Sequence, residues 1–88
     1  MEFEIDPDKA AENLTKHGVP FSDAEGVFVD PLAVHCPDPD AEGEERFIAV
    51  GLGSAGQILV TVYTIREAKT RLISVRRATK HEVKDYEG

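Results

Sequence analysis

A single cysteine, Cys36, leaves this 88-residue chain without an internal disulfide and without a multi-thiolate metal centre, which fits a reducing compartment. No apolar run approaches the roughly 20 residues that cross a bilayer. No basic leader with an apolar core precedes the first acidic residues, so a soluble cytoplasmic protein is expected. There is no glycine-rich phosphate loop followed by Lys-Ser/Thr, no serine elbow and no dinucleotide fingerprint, and nothing supports a cofactor. Asp38, Asp40, Glu42, Glu44 and Glu45 lack the glycine and terminal glutamate of a calcium loop. His35 beside Cys36 lacks the further ligands of a zinc pattern. Neither a metal nor a cofactor is expected.

Basic residues are scarce where acidic ones abound. Residues 1–50 hold 3 Lys or Arg against 13 Asp or Glu, whereas residues 51–88 hold 7 against 4, and the whole chain carries a formal charge of -7. Such a chain is not drawn indiscriminately to nucleic acid or anionic membrane, because long-range attraction follows the summed field. A local anion site is still open to it. Arg66, Lys69, Arg71, Arg76, Arg77, Lys80 and Lys84 supply that possibility, or else a solvated strand edge and helix face. The length and a hydrophobic fraction of 41% suit one domain, residues 1–88, with one modest core.

Met1 to Ile5 alternates apolar and acidic residues as a short half-buried strand does. Asp6 and Pro7 then open a helix expected to run to about Lys16, with Ala10, Leu14 and His17 as its inward stripe and Gly18 as its end. Ser22 and Glu25 form a capping box for a second helix from Asp23 to about Val29. Leu32 to Cys36 reads as a strand and the following acidic segment as an exposed, mobile loop. Phe47 to Leu52, Gln57 to Arg66 and Thr70 to Arg77 are strands with short connections, which predicts an antiparallel meander. Thr79 and Glu82 cap a terminal helix, Lys80 to Tyr86. The expected fold class is α+β: a small antiparallel sheet with two N-terminal helices and a short C-terminal helix, in the order β-α-α-β-β-β-β-α.

Strict alternation places Leu72, Ser74 and Arg76 on one face of the last strand, and Arg71, Ile73, Val75 and Arg77 on the other. Arg66 can share a face with either Arg76 or Arg77, and the pairing register decides which. Guanidinium groups offer planar, paired donors that match phosphate oxygens and stabilise charge on a transferring phosphoryl group. Lys16 and His17 suit a helix C-terminus electrostatically, and histidine is equally a residue that relays protons near neutral pH. His81 either meets RNA or is a solvated helix residue. Glu44 or Glu45 can be aimed at a substrate by the adjoining strand, and Tyr63 is a core aromatic or a hydroxyl donor.

The opening FEIDPDKAAENLTKHGVPFSDAEGVFVDP and the later GEERFIAVGLGSAGQILVTVYTIREAKTRLISVRRATKHEVKDYE resemble the BrnT family of type II toxins along essentially the whole chain. The resemblance is carried most by Asn13, Lys16-His17-Gly18 and Phe21, by Gly43-Glu44-Glu45-Arg46, and by Ile73 to Ala78. Ile5 stands where that family usually has tryptophan. The resemblance implies a RelE-like fold and a ribonuclease acting on RNA without a metal. It also implies neutralisation by a BrnA-like antitoxin, a small ribbon-helix-helix protein through which the complex binds operator DNA. It nominates Lys16, His17, Glu45, Arg66, Arg76 and Arg77 as catalytic residues. Arg66, Arg76, Arg77 and Lys80 are the expected RNA contacts. The competing expectation is a non-catalytic protein-binding module that acts only in complex with its DNA-binding partner.

Overall fold

In the computed structural model, which describes residues 1–88, a two-residue strand β1 (Phe3–Glu4) leads into helix α1 (Pro7–His17). The Asp6 carboxylate accepts the Asp8 N–H at 2.9 Å, and Pro7 occupies the first turn, where an amide hydrogen has no intrahelical partner. Gly18 closes the helix at φ 70, its N–H on the Leu14 carbonyl at 2.8 Å. The inward stripe departs from expectation. Leu14 is half exposed, and the buried side chain of α1 is Asn13.

Asn13 is buried because its amide completes another element. Its Nδ2 donates to the carbonyls of Val19 at 2.9 Å and Val75 at 2.8 Å, and its Oδ1 accepts the Val75 N–H at 3.0 Å. A polar group can leave water at little cost when its hydrogen bonds are replaced in this way.

After Pro20 the chain enters a 3-10 turn, Phe21–Ala24, that runs directly into helix α2 (Glu25–Val29). The Ser22 and Glu25 capping box is therefore not formed: Ser22 lies inside the turn, and neither segment has a side-chain cap. The serine that serves α2 is Ser54, whose Oγ accepts the Gly26 N–H at 2.9 Å while its own N–H donates to the Asp23 carbonyl at 2.9 Å. Gly26 permits this approach, since a Cβ there would lie 2.4 Å from the Ser54 nitrogen.

Strands β2 (Val34–Pro37), β3 (Phe47–Leu52), β4 (Ile58–Arg66) and β5 (Lys69–Arg77) form the antiparallel meander, followed by helix α3 (Lys80–Glu87). The full sheet order is β1-β5-β4-β3-β2, and β1 lies parallel to β5. The sheet is thus mixed, because no hairpin constrains the direction of a strand that returns from the far end of the chain. Glu67 and Ala68 alone make the β4–β5 turn, both at positive φ, as tight two-residue hairpins require. The Thr79 and Glu82 capping box is present in full.

The core lies between one sheet face and the helical segments. Val19, Phe21, Ala24 and Val27 pack on Ala49, Leu59, Tyr63, Leu72 and Val75. Tyr63 is a core residue, in ring contact with Phe28, Phe47 and His35, and its hydroxyl is 2.8 Å from the His35 Nδ1. Leu72 and Val75 are both fully buried although strict alternation would put them on opposite faces. The register reconciles them. Val62 pairs with Ser74 and Tyr63 with Leu72, which leaves Ile73 as the extra residue of a β-bulge.

Candidate functional site

That one-residue bulge re-sorts the charged side chains of β5. Residues paired across antiparallel strands share a face. Val75 and Arg77, opposite Thr61 and Leu59, belong with Leu72 on the helix-covered face. Arg71, Ser74 and Arg76, opposite Thr64, Val62 and Val60, belong to the other face, and Arg66 joins them by alternation along β4. The expected grouping of Leu72 with Ser74 and Arg76 is corrected accordingly. Arg76, and not Arg77, accompanies Arg66. Arg77 instead donates from Nε to the Gln57 Oε1 at 2.9 Å.

This second face is crossed by α3 at one end and by the segment before β3 at the other, where the buried Thr64 donates to the Glu45 carbonyl, and it is open between them. Arg76 makes a two-pronged ion pair with Glu82 of α3, Nη1 to Oε1 at 2.7 Å and Nη2 to Oε2 at 2.9 Å. The guanidinium and the Thr79 amide together hold the Glu82 carboxyl down at about 2, against an ordinary 4.5, and the same contact raises Arg76. At the opposite end Arg66 meets Glu44 at 2.5 Å. The Arg66 hydrogen bond, helped by the charges of Arg71 and Arg46, lowers the Glu44 carboxyl. Arg71 is 3.9 Å from Glu4. At about 3.3 Å per residue, Arg76 opposite Val60 and Arg71 opposite Thr64 stand about 13 Å apart along the strand direction. Between them lies the half-buried pair Val62 and Ser74.

Lys16 and His17 do not sit on this face. They line a shallow groove of about 170 Å³ between α1 and the bulge, together with Lys9, Glu12, Asn13, Ile73 and Ser74. Ser74 belongs to both regions, so the groove reaches the open face at its β5 edge. Asn13 fixes this meeting point by bonding to Val75 one residue on.

Glu45 is exposed in the loop before β3, and only its carbonyl is engaged, by Thr64 Oγ1 at 2.6 Å. The carboxylate facing an arginine is that of Glu44. Lys80 is exposed at the start of α3, and His81 faces Asp85 at 3.4 Å in solvent. His35 and Cys36 are consecutive in β2 and point to opposite faces, so they do not act as a ligand pair. Sequence reasoning missed Arg71 as a companion of Arg76, and Glu82 and Ser74 as their neighbours. The one available signal was the apolar pair Leu72 and Val75 at a spacing of three within a strand.

A sequence model of the family described as "Ribonuclease toxin, BrnT, of type II toxin-antitoxin system" matches residues 5–82. The 1.1 Å crystal structure of the Brucella abortus ribonuclease toxin BrnT superposes with a TM-score of 0.71 at 24% identity, over 91% of this chain and 99% of that one. That likeness shows a shared fold. No curated protein matches the chain.

Proposed function

The chain belongs to the BrnT family of ribonuclease toxins of type II toxin–antitoxin systems, and from that premise we propose that it is a metal-independent, RelE-like endoribonuclease working at the open sheet face. The observation that carries this reading is the β4–β5 register, which gathers Arg66, Arg71 and Arg76 on a face that meets the Lys16–His17 groove at Ser74. In the proposed reaction the 2′-hydroxyl of RNA attacks the adjacent phosphorus and loses its proton to a base. The bond to the 5′ oxygen breaks, that oxygen takes a proton, and a 2′,3′-cyclic phosphate remains. His17 and Lys16, which line the groove, are the favoured proton-transfer groups, with Glu45 at the Arg66 end a third candidate. Arg76 stabilises the charge that builds on the phosphoryl oxygens, and Arg66 positions the strand. Arg77 and Lys80 lie outside this arrangement and have at most an outlying contact with RNA.

The partner in this reading is a BrnA-like ribbon-helix-helix antitoxin that neutralises the toxin and carries the complex to operator DNA. The acidic first half of the chain suits a basic partner and speeds their encounter. No helix is long and apolar enough to cross a membrane. The cytoplasm, with its RNA, is the compartment the reading requires.

Incubating the purified chain with RNA in EDTA tests the proposal. Fragments ending in cyclic phosphate are expected, and DNA of the same sequence stays intact because it has no 2′-hydroxyl. Uncleaved RNA would overturn it. One observation favours the second reading, a binding module without turnover: Arg66 and Arg76 are each already engaged by a carboxylate of the chain itself. A chain that leaves growth and bulk RNA unchanged when expressed alone, yet co-purifies with its antitoxin, would decide for that alternative.

A further inference from the structure

We propose that Glu44 and Glu82 occupy two phosphate positions of a single extended site, and that single-stranded RNA of several nucleotides binds along β4 and β5 by displacing both carboxylates. The inference rests on the reading that this face takes RNA. It adds Arg71 to the binding residues and sets a minimum length on the ligand.

The carboxylates are where phosphates would be. A carboxylate bonded to both prongs of a guanidinium uses the donors that a phosphate uses, with similar geometry. Glu82 does this to Arg76 at 2.7 and 2.9 Å. Glu44 engages Arg66 within the fields of Arg71 and Arg46.

Both glutamates can leave without opening the core. Glu44 belongs to the exposed loop before β3. Glu82 belongs to α3, which has no buried residue and is tied down by polar contacts, Arg76 to Glu82 near its start and the Tyr86 hydroxyl to the Asp30 Oδ2 at 2.5 Å near its end. A cavity of about 180 Å³ lies between its Glu82, Asp85 and Tyr86 and the sheet residues Val34 and Val50, so the helix is not closely packed on the face it crosses.

The spacing selects the ligand. A single phosphate cannot reach both Arg66 and Arg76, which stand six residues of β4 apart, about 20 Å at the backbone level. A strand with successive phosphates can, and the uncharged Val62 and Ser74 between the ends leave room for the sugar and base of the intervening nucleotides. A rigid duplex fits less well, because α3 crosses one end of the face. With the chain at -7 overall, binding depends on these few arginines and not on a broad positive surface.

Fluorescence anisotropy with 2′-O-methyl RNA of two, four and six nucleotides measures binding in the absence of cleavage, since the nucleophile is blocked. The six-nucleotide strand should bind at least about tenfold more tightly than the two-nucleotide strand. Glu44→Gln and Glu82→Gln should each tighten the longer strand several-fold, and Arg71→Ala should weaken it about as much as Arg66→Ala. Glutamine at position 82 still serves the capping box, and Glu44→Gln, on an exposed loop, provides an independent arm if α3 loosens. For two phosphates neutralised, the slope of log K against log salt should be about -1.4. Affinity independent of length, or unchanged by both glutamine substitutions, overturns the inference. If unmodified RNA is nevertheless cleaved, the ribonuclease reading stands and only the two-ended site falls. If the predicted tightening is found and unmodified RNA stays intact, the site stands and the ribonuclease reading falls.

Discussion

Asn13 and Val75, 62 residues apart, exchange hydrogen bonds as neighbouring strands do: the side-chain amide donates to the Val75 carbonyl, and the Val75 N–H donates to the side-chain oxygen. β1 covers the outer edge of β5 only at Thr70 and Arg71. Beyond that point the edge would present unpaired backbone groups, and Asn13 completes it next to the bulge. The same contact locks α1, with Lys16 and His17 at its end, against the strand that carries Arg76.

Asn13→Ala should therefore lower the unfolding free energy by about 3 kcal/mol, because buried donors and acceptors lose their partners. Urea denaturation followed by circular dichroism checks this, with a drop in midpoint and little change in slope. An unchanged midpoint would show that water replaces the amide freely.

Thr61 is a contrasting case. Its side chain is fully buried, and its hydroxyl has no hydrogen-bond partner. Thr61→Val keeps the shape and removes the unmet polar group, so stability should stay level or rise by about 1 kcal/mol. A loss of more than about 1 kcal/mol in the same denaturation assay would mean that the hydroxyl is satisfied in solution.

At Gly26 even one methyl group is too much. A Cβ would fall 2.4 Å from the Ser54 nitrogen and 2.7 Å from the Gly53 carbonyl carbon, both backbone atoms. Gly26→Ala should cost about 2 kcal/mol, the range of overpacking in a closely packed site, despite the better helix propensity of alanine. A thermal melt that matches wild type would contradict this contact.

The Arg76 and Glu82 pair gives a signed pH dependence. The Glu82 carboxyl is depressed from 4.5 to about 2, so its contribution is fully present above 4.5 and is lost as pH falls through that interval. Asp30, lowered by the Tyr86 hydroxyl and the Leu52 and Leu32 amides, acts in the same direction. Solvent screening limits the Glu82 share to about 1 kcal/mol. Wild type should exceed Glu82→Gln in stability at pH 7, and the gap should close between pH 4.5 and pH 2. A gap that widens on acidification would reverse the sign.

Local signals in the sequence were reliable where the structure uses them locally. Asp6, Pro7 and Gly18 bound α1, Thr79 and Glu82 cap α3, and Phe47–Leu52 is a strand as its composition predicts. What escaped was set by distant partners. Ser22 carries a capping signature, but it lies inside a 3-10 turn that begins at the buried Phe21, and Ser54 takes over from another element. Asn13 looks like a helix-surface residue until the unpaired edge of β5 is known. The candidate site follows the same division. Arg66 and Arg76 were legible as phosphate-binding residues, but separating Arg76 from Arg77 required the strand register. Arg71 was hidden by a bulge that shifts the alternation by one.

Cleavage of RNA by Arg76→Ala and Arg77→Ala, compared in EDTA with wild type, tests the assignment of catalysis to the open face most directly. The two residues are adjacent in sequence and lie on opposite faces of β5. Arg76→Ala should reduce the cleavage rate about 100- to 1,000-fold, as expected when a group that stabilises developing charge is removed. Arg77→Ala should keep the rate within about threefold of wild type. Equal losses, or a larger loss for Arg77→Ala, would contradict the account.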